Sequence, residues 1–434
     1  MVTLRKPTRL SPLKAGREAN RFLLIASDWR AQLQPGGVSS YLHSLSQGLV
    51  SLGDTVRILA VVNPDESAHL DLLKKFEPWV VPFESVDDGK PLNWLGRKTA
   101  SFLEILRCLS PNCRRALEKA SFFKASTAAI TRLERVLSEE RPTGIIFVNC
   151  NTRLYWLALA LLEWQRPYGI IAHGADVRKV VHSRHVFTKR RMMIRGANWI
   201  AANSNYTRSL LEAWQIPSDK IRVVYPPIPE EAIRESATYE PRSRQNDALS
   251  LATVSRLSRE KGIDIALQAL KLLAARGVPF RYVIGGDGRE RGSLETLTDE
   301  LGLRDSVEFR GWVDGAEKWQ IFRNSDVFLM PSRGDSRAQQ EGFGIASVEA
   351  GAFGVPAVGS RTGGVPEAVV DGETGIIVAE ESPMDLADAL TLLYRKPEVR
   401  KQMGRAARER ARRLFSPKTI ASRIREEALE LRRC

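Results

Sequence analysis

Short apolar runs alternate with longer amphipathic stretches along most of the chain. An apolar run at 22–26 is followed by a Pro-Gly-Gly loop and an amphipathic stretch over 38–52, and a second run follows at 55–62. Runs of strand length separated by helical stretches predict parallel strands joined by right-handed crossovers. Further runs in this half lie at 144–149, 168–172, 199–203 and 221–224. The first half is therefore predicted to form one doubly wound α/β domain.

The alternation breaks between residues 226 and 246, where prolines and charged residues replace the apolar runs. It resumes with runs at 249–254, 281–285, 306–310, 327–330, 356–359 and 375–378, which predict a second doubly wound domain. A Ser-Pro step after Phe415 interrupts the helical pattern, so a separate final helix is expected over 416–433. The predicted division is a flexible basic lead-in at 1–20, a first domain at 21–228, a linker at 229–247, a second domain at 248–415 and the final helix at 416–434.

Composition and charge narrow the class of protein. The chain has 43% hydrophobic and 27% charged residues, which is typical of soluble globular proteins, and its apolar runs are far shorter than the ~20 residues of a membrane helix. The net charge of +14 favours contact with anionic surfaces. No nucleic-acid-binding motif is present, so no nucleic-acid partner is expected. We expect a cytoplasmic protein, and a peripheral position on the inner membrane face is a further hypothesis.

Two cations and a glycine cluster follow predicted strands of the second half. Arg256 and Lys261 lie in the loop that leaves the run 249–254, and Gly286 lies in the sequence GGDG after the run 281–285. Such loops in parallel sheets bind anions, and cations there could hold a diphosphate, although a solvated basic loop is the alternative. Neither domain has the Gly-x-Gly-x-x-Gly fingerprint after its first strand, which argues against a nicotinamide dehydrogenase.

Two carboxylates flank a glycine-rich helix start in the sequence EGFGIASVEA. Glu341 is expected just before the helix and Glu349 about two turns into it. Ionised carboxylates only accept hydrogen bonds, which suits hydroxyl-rich ligands such as a hexose and a ribose. Ordinary glutamates on a helix surface are the alternative, but the small residues around them favour close approach of a ligand.

Four motifs in order resemble the donor domain of the family 4 retaining glycosyltransferases of GT-B fold. They are SRLSREKG, GGDG, EGFGIASVEA and GGVPE, the last at residues 363–367. The first half is similar more loosely, through its PGGV loop and the segment AHGAD. The resemblance implies two Rossmann-like domains that face a cleft, with the final helix crossing back to pack on the first domain. Ser255 departs from the pattern, since many relatives have glycine there.

The resemblance also implies roles for individual residues. Arg256 and Lys261 would bind the donor diphosphate, Glu349 the ribose hydroxyls and Glu341 the transferred sugar. His173 would lie beside that sugar, and Glu341, His173, Arg256 and Lys261 would form the catalytic set. The remaining donor-binding positions are Gly36 and Gly37 in the first domain, and Gly286, Gly342, Phe343, Gly344 and Ile345 in the second.

The implied activity is retaining transfer of a sugar from a UDP- or GDP-sugar to a hydroxyl acceptor, in polysaccharide, glycolipid or glycoconjugate biosynthesis. No metal site and no cofactor other than the nucleotide-sugar co-substrate are expected, and the chain has no Asp-x-Asp pair. The acceptor would be a sugar, a lipid-linked molecule or a small molecule. It would be recognised by the stretch 84–124 and the basic segment 178–195, which could also contact an anionic membrane surface. The alternatives are a non-catalytic sugar-nucleotide-binding protein and a glycan phosphorylase of the same fold.

Overall fold

The fold is built on two parallel β-sheets, one in each half of the chain. The structure is a computed structural model that describes residues 19–27, 37–62, 79–82, 120–177, 184–237, 248–313, 315–334 and 340–430. The first sheet contains β1 (Arg21–Ser27), β2 (Thr55–Val62), β3 (Trp79–Pro82), β4 (Gly144–Phe147), β5 (Gly169–Ala172), β6 (Trp199–Ala202) and β7 (Ile221–Val223). The second contains β8 (Leu249–Val254), β9 (Phe280–Gly285), β10 (Val307–Gly311), β11 (Val327–Met330), β12 (Ala357–Ser360) and β13 (Gly375–Val378).

Both sheets are doubly wound, as the alternation of apolar runs predicts. The strand order is β3-β2-β1-β4-β5-β6-β7 in the first sheet and β10-β9-β8-β11-β12-β13 in the second. The order reverses direction beside the first strand of each sheet, between β1 and β4 and between β8 and β11, and ligands of such folds bind at this switch point. Strand β3 was not predicted, because it is a four-residue edge strand that ends in a proline.

Helices connect most of the strands. In the first half they are α1 (Gly37–Ser51), α2 (Ala120–Glu140), α3 (Tyr155–Glu163), α4 (Arg184–Gly196), α5 (Asn205–Ala213) and α6 (Glu230–Ala237). In the second half they are α7 (Ile263–Ala275), α8 (Arg291–Glu300), α9 (Gly315–Arg323), α10 (Ile345–Ala352), α11 (Val365–Ala368), α12 (Pro383–Arg395), α13 (Pro397–Leu414) and α14 (Pro417–Glu430). Helix α6 lies in the segment predicted as linker, and two glutamates in its first turn favour a helix start there. Across the described ranges, no helix is both long enough and apolar enough to cross a membrane.

The first sheet is buried on both faces. Leu23 and Ile25 of β1 pack into one hydrophobic cluster, whereas Phe22 and Leu24 pack into the cluster on the opposite face. Burial on both faces explains why the strands appear in the sequence as continuous apolar runs rather than as alternating patterns.

The final helix, α14, packs on the first domain rather than the second. Its residues Ile420 and Ile424 are fully buried in the same cluster as Phe22 and Leu24. On the rim of this contact, Arg425 Nε lies 2.8 Å from Oδ2 of the buried Asp54. The chain therefore enters the second domain after β7 and returns to the first domain at its end.

Helix α1 approaches α14 closely at Gly48, so we expect a side chain there to destabilise the fold. A Cβ atom on Gly48 would lie 2.2 Å from the Pro417 carbonyl oxygen and 2.7 Å from the Ala421 Cβ atom. Gly48→Ala should lower the free energy of unfolding in urea by about 1–3 kcal/mol, as overpacking does. Gly292→Ala is the matched control, because a Cβ there meets nothing within 4 Å. The control should leave stability unchanged or raise it by up to about 1 kcal/mol, and equal effects of the two changes would contradict the described packing.

Candidate functional site

The loops that follow β8 and β9 are joined by their backbones at the carboxyl edge of the second sheet. A Cβ atom on Gly286, whose φ is +131°, would lie 1.8 Å from the Ser255 carbonyl oxygen. The Leu257 N–H donates to the Asp287 carbonyl at 2.9 Å. The absence of a side chain at Gly286 therefore allows these two loops to meet. Their contacts at Ser255 and Leu257 fix the backbone on both sides of Arg256.

Arg256 points its guanidinium toward solvent at this edge. Its side chain is 60% exposed, and its Nη2 atom lies 3.6 Å from Oε1 of Glu260. A pairing this long and this exposed contributes little stability. The guanidinium is consequently available to an anionic ligand, which it could bind through a planar pair of N–H groups.

Lys261 and Glu341 form an ion pair at the switch point of the second sheet. Lys261 follows β8 and Glu341 follows the neighbouring strand β11, and their charged atoms are in direct hydrogen-bond contact. Both side chains are largely buried, with exposures of 18% and 16%. Burial favours the neutral acid, but Lys261, the Phe343 N–H and the charge of Arg256 outweigh it, and they lower the pKa of Glu341. The pair thus presents an ionised carboxylate and an ammonium side by side.

Glu349 lies in α10, and the structure corrects its predicted depth in the helix. The helix begins at Ile345, so Glu349 lies one turn from its start, not two. The left-handed Gly344, with a φ of +97°, precedes the helix, so the helix begins later than the sequence predicts. The Glu349 side chain is 6% exposed, so the alternative of a helix-surface glutamate is wrong at this position.

Lys318 is a functional candidate that the sequence did not reveal. This residue of α9 places its Nζ atom 2.9 and 3.0 Å from the two carboxylate oxygens of Glu349. Its ammonium also lies 4.5 Å from the centre of the Trp319 ring. Each carboxylate oxygen retains a second acceptor position, so Glu349 could still accept from two hydroxyl groups while Lys318 holds it in place.

His173 approaches this site from the first domain. Its backbone N–H donates to Asp176 at 2.9 Å, and its ring lies edge-on to Tyr41 with centres 4.9 Å apart. The ring Nε2 atom is 2.7 Å from the Val148 carbonyl oxygen, which can only accept. In a neutral ring Nε2 therefore bears the proton, and Nδ1 is left as an acceptor.

The loop after Glu341 is in contact with the His173 backbone. A Cβ atom on Gly342 would lie 2.5 Å from the His173 carbonyl oxygen, so only glycine fits between the two domains here. Ser204 of the first domain also donates its hydroxyl to the Gly342 carbonyl at 2.7 Å. The loop that carries Glu341 and the segment that carries His173 therefore meet at one interface between the two domains.

Other predicted residues lie in less informative positions. Gly36 lies outside the described residues, as does most of the stretch 84–124, and Gly37 begins α1. In the basic segment, Lys189 lies over the rings of Tyr155 and Trp156, and Arg191 donates to the Trp214 carbonyl at 3.3 Å. These two cations are partly engaged by the protein itself, which leaves less of their charge for an external surface.

Comparison with known proteins identifies the family of both halves. Residues 35–232 match the family model described as Glycosyltransferase Family 4. Residues 238–410 match the model described as Glycosyl transferases group 1. The break between the two matches falls at the end of α6.

Individual relatives agree with these matches. The chain is 28% identical over 392 residues to the D-inositol 3-phosphate glycosyltransferase of Arthrobacter sp. strain FB24, covering 86% of this chain and 85% of the relative. It is 30% identical over 220 residues to a Salmonella typhimurium protein named colanic acid biosynthesis glycosyltransferase WcaL. That match spans about half of each protein, 51% of this chain and 53% of the relative.

A solved structure agrees in fold over nearly the full length. The Anabaena HepE structure in complex with UDP superposes with a TM-score of 0.69 at 18% identity, covering 95% of this chain and 100% of that one. The two doubly wound sheets, the two family models and these relatives lead to one conclusion. The chain belongs to the group 1, family 4 glycosyltransferases, with the GT-B fold.

Proposed function

We propose that the protein is a retaining, metal-independent glycosyltransferase that moves a sugar from a nucleoside diphosphate sugar to a hydroxyl acceptor. The observation that best supports this function is the buried pair of Lys261 and Glu341 at the switch point, next to the contact between Gly342 and the His173 backbone. An ionised carboxylate suits the hydroxyls of a sugar, and an adjacent ammonium suits the phosphate attached to it. The relatives support a role in polysaccharide, glycolipid or glycoconjugate biosynthesis.

The donor would lie along the carboxyl edge of the second sheet. Its diphosphate would meet Arg256 and Lys261, and its ribose would meet Glu349, held by Lys318. The ammonium of Lys261 has three N–H groups and uses one on Glu341, so two remain for phosphate oxygens. UDP is the nucleotide bound by HepE, and UDP- and GDP-sugars are both candidate donors for this chain.

Departure of the nucleoside diphosphate builds up negative charge, which the protein would stabilise. Backbone contacts fix the loop that carries Arg256 before the donor arrives, and Glu341 already holds the Lys261 ammonium, so little reorganisation is needed during reaction. The carboxylate of Glu341 would orient the sugar, and the leaving phosphate itself would take the acceptor proton. Retention of the anomeric configuration can be read directly from the product by proton NMR.

The ion pair provides the sharpest test of this function. A screen of nucleotide sugars by thermal shift would first identify the donor. Glu341→Gln keeps the size of the side chain but removes its charge, so transfer should fall about 100-fold or more. Lys261→Met should also weaken the binding of UDP or GDP, measured by calorimetry. Lys271→Met, on the exposed face of α7, is the matched control and should match wild type.

Donor consumption separates the proposal from its alternatives. A sugar-nucleotide-binding protein would bind the donor but never consume it, with or without acceptor. A phosphorylase would require phosphate and a lysine-bound pyridoxal group. Rates of the Glu341 and Lys261 variants equal to that of the Lys271 control would contradict the assigned donor site.

Leaving-group stabilisation by side chains predicts that transfer continues without divalent cations. The rate in excess chelator should equal the rate in added magnesium, because Arg256, Lys261 and backbone dipoles meet the diphosphate charge. The measurement is the initial rate of transfer after dialysis against chelator. Loss of activity that magnesium or manganese restores would contradict this account.

A further inference from the structure

The segment GGVPE, at residues 363–367, packs directly against the loop that holds Glu341. The Gly364 N–H donates to the Glu341 carbonyl at 3.0 Å. A Cβ atom on Gly363 would lie 2.1 Å from that carbonyl oxygen, and one on Gly364 would lie 2.2 Å from the Gly342 carbonyl oxygen. Any movement of this segment would therefore be transmitted to the backbone that positions Glu341.

The carboxylate of Glu367 reaches from this segment to the first domain. It accepts hydrogen bonds at the start of α5, from the Asn205 N–H at 2.8 Å, the Asn205 side-chain amide at 2.7 Å and the Tyr206 N–H at 3.2 Å. These backbone N–H groups have no partner within the helix, and the helix dipole favours a negative charge at this end. Glu367 of the second domain thus caps the N-terminus of a helix of the first domain.

Glu367 is itself held in place from the second domain. Arg410 of α13 donates to the Glu367 carbonyl at 2.7 Å and to the Ala368 carbonyl at 3.1 Å. The start of α5 is equally fixed, because its cap Ser204 accepts from the Thr207 N–H and donates to the Gly342 carbonyl at 2.7 Å. The segment GGVPE and the start of α5 are therefore joined by the Glu367 carboxylate, beside the contact between Gly342 and His173.

We propose that Glu367 is a positioning residue that closes the two domains on each other, and thereby brings His173 of the first domain against the Glu341 loop of the second. It acts through α5 and touches neither donor nor acceptor. The proposal rests on the proposed transferase function for its effect on rate. Its effect on domain closure does not depend on that function.

Two substitutions weaken the contact from opposite sides. Glu367→Ala deletes the acceptor. Asn205→Pro deletes the side-chain amide and one of the two backbone N–H donors, while the other, on Tyr206, remains. Asn205 is the first residue of α5, where proline is favoured in helices, and the extended Ser204 before it, with a φ of −165° and a ψ of 164°, suits a residue that precedes proline. Helix α5 should therefore remain intact in this variant.

Transfer and nucleotide binding should respond differently to these changes. With the donor found by the thermal-shift screen, kcat should fall about tenfold in either variant, since a misplaced domain costs orientation at the reacting centre. The affinity for UDP and GDP should stay at the wild-type value, because the side chains assigned to the nucleotide, Arg256, Lys261 and Glu349, all lie in the second domain. Glu367→Gln keeps one oxygen acceptor and should recover part of the rate. The double variant should be no slower than Glu367→Ala alone.

A purely structural role would give a different pattern. The unfolding temperature and the nucleotide affinity would then fall together with kcat, and that outcome would overturn the proposal. A wild-type kcat in Glu367→Ala would also overturn it. Glu300→Ala, an exposed acid at the end of α8, is the matched control and should leave every measurement unchanged.

Small-angle X-ray scattering tests closure without any assay of transfer. The radius of gyration should rise in Glu367→Ala and in Asn205→Pro and should stay at the wild-type value in Glu300→Ala. If no acceptor is ever found, the scattering result still supports or overturns closure by Glu367. If transfer is found but Glu367→Ala has the radius of gyration and the kcat of the wild type, the closure proposal fails while the transferase assignment stands.

Discussion

Contact between backbones, without intervening side chains, is the constraint on which this site depends. Loops from β8, β9 and β11 meet at the carboxyl edge of the second sheet, and glycine occupies their points of contact. Gly262 has a φ of +63°, and a Cβ atom there would lie 1.9 Å from the Pro331 carbonyl oxygen. Gly286 and Gly363 show the same close approach to Ser255 and Glu341. Because the loops support one another, the backbone positions of Lys261 and Glu341 are fixed relative to each other.

Much of the fold could be predicted from the sequence, because buried parallel strands appear as uninterrupted apolar runs. Strands β2, β8, β11 and β13 have the predicted limits, and the other predicted strands differ by one or two residues. The exception, β3, is short and ends in Pro82, so neither its length nor its composition distinguishes it from a loop.

The site could be predicted only as a set of separate residues. Glu341 and Lys261 were each expected to contact a ligand, but their contact with each other joins positions 80 residues apart and depends on the adjacency of β8 and β11. Lys318 could not be found at all, because an isolated lysine near the start of a helix is common and its partner Glu349 lies 31 residues away. The role of Glu367 likewise follows from the meeting of two domains, which no local pattern contains.

The return of α14 to the first domain has a consequence for biosynthesis of the chain. Residues of β1 share a hydrophobic cluster with Ile420, Ala421, Ile424 and Ala428 of α14, which are synthesised after the strands of both sheets. The second domain has all of its strands by residue 378, whereas this face of the first sheet lacks its cover until about fifty residues later. The usual order, in which the domain made first is finished first, is therefore reversed on this face, and until α14 has been synthesised the apolar side chains of β1 there lack part of their packing partners.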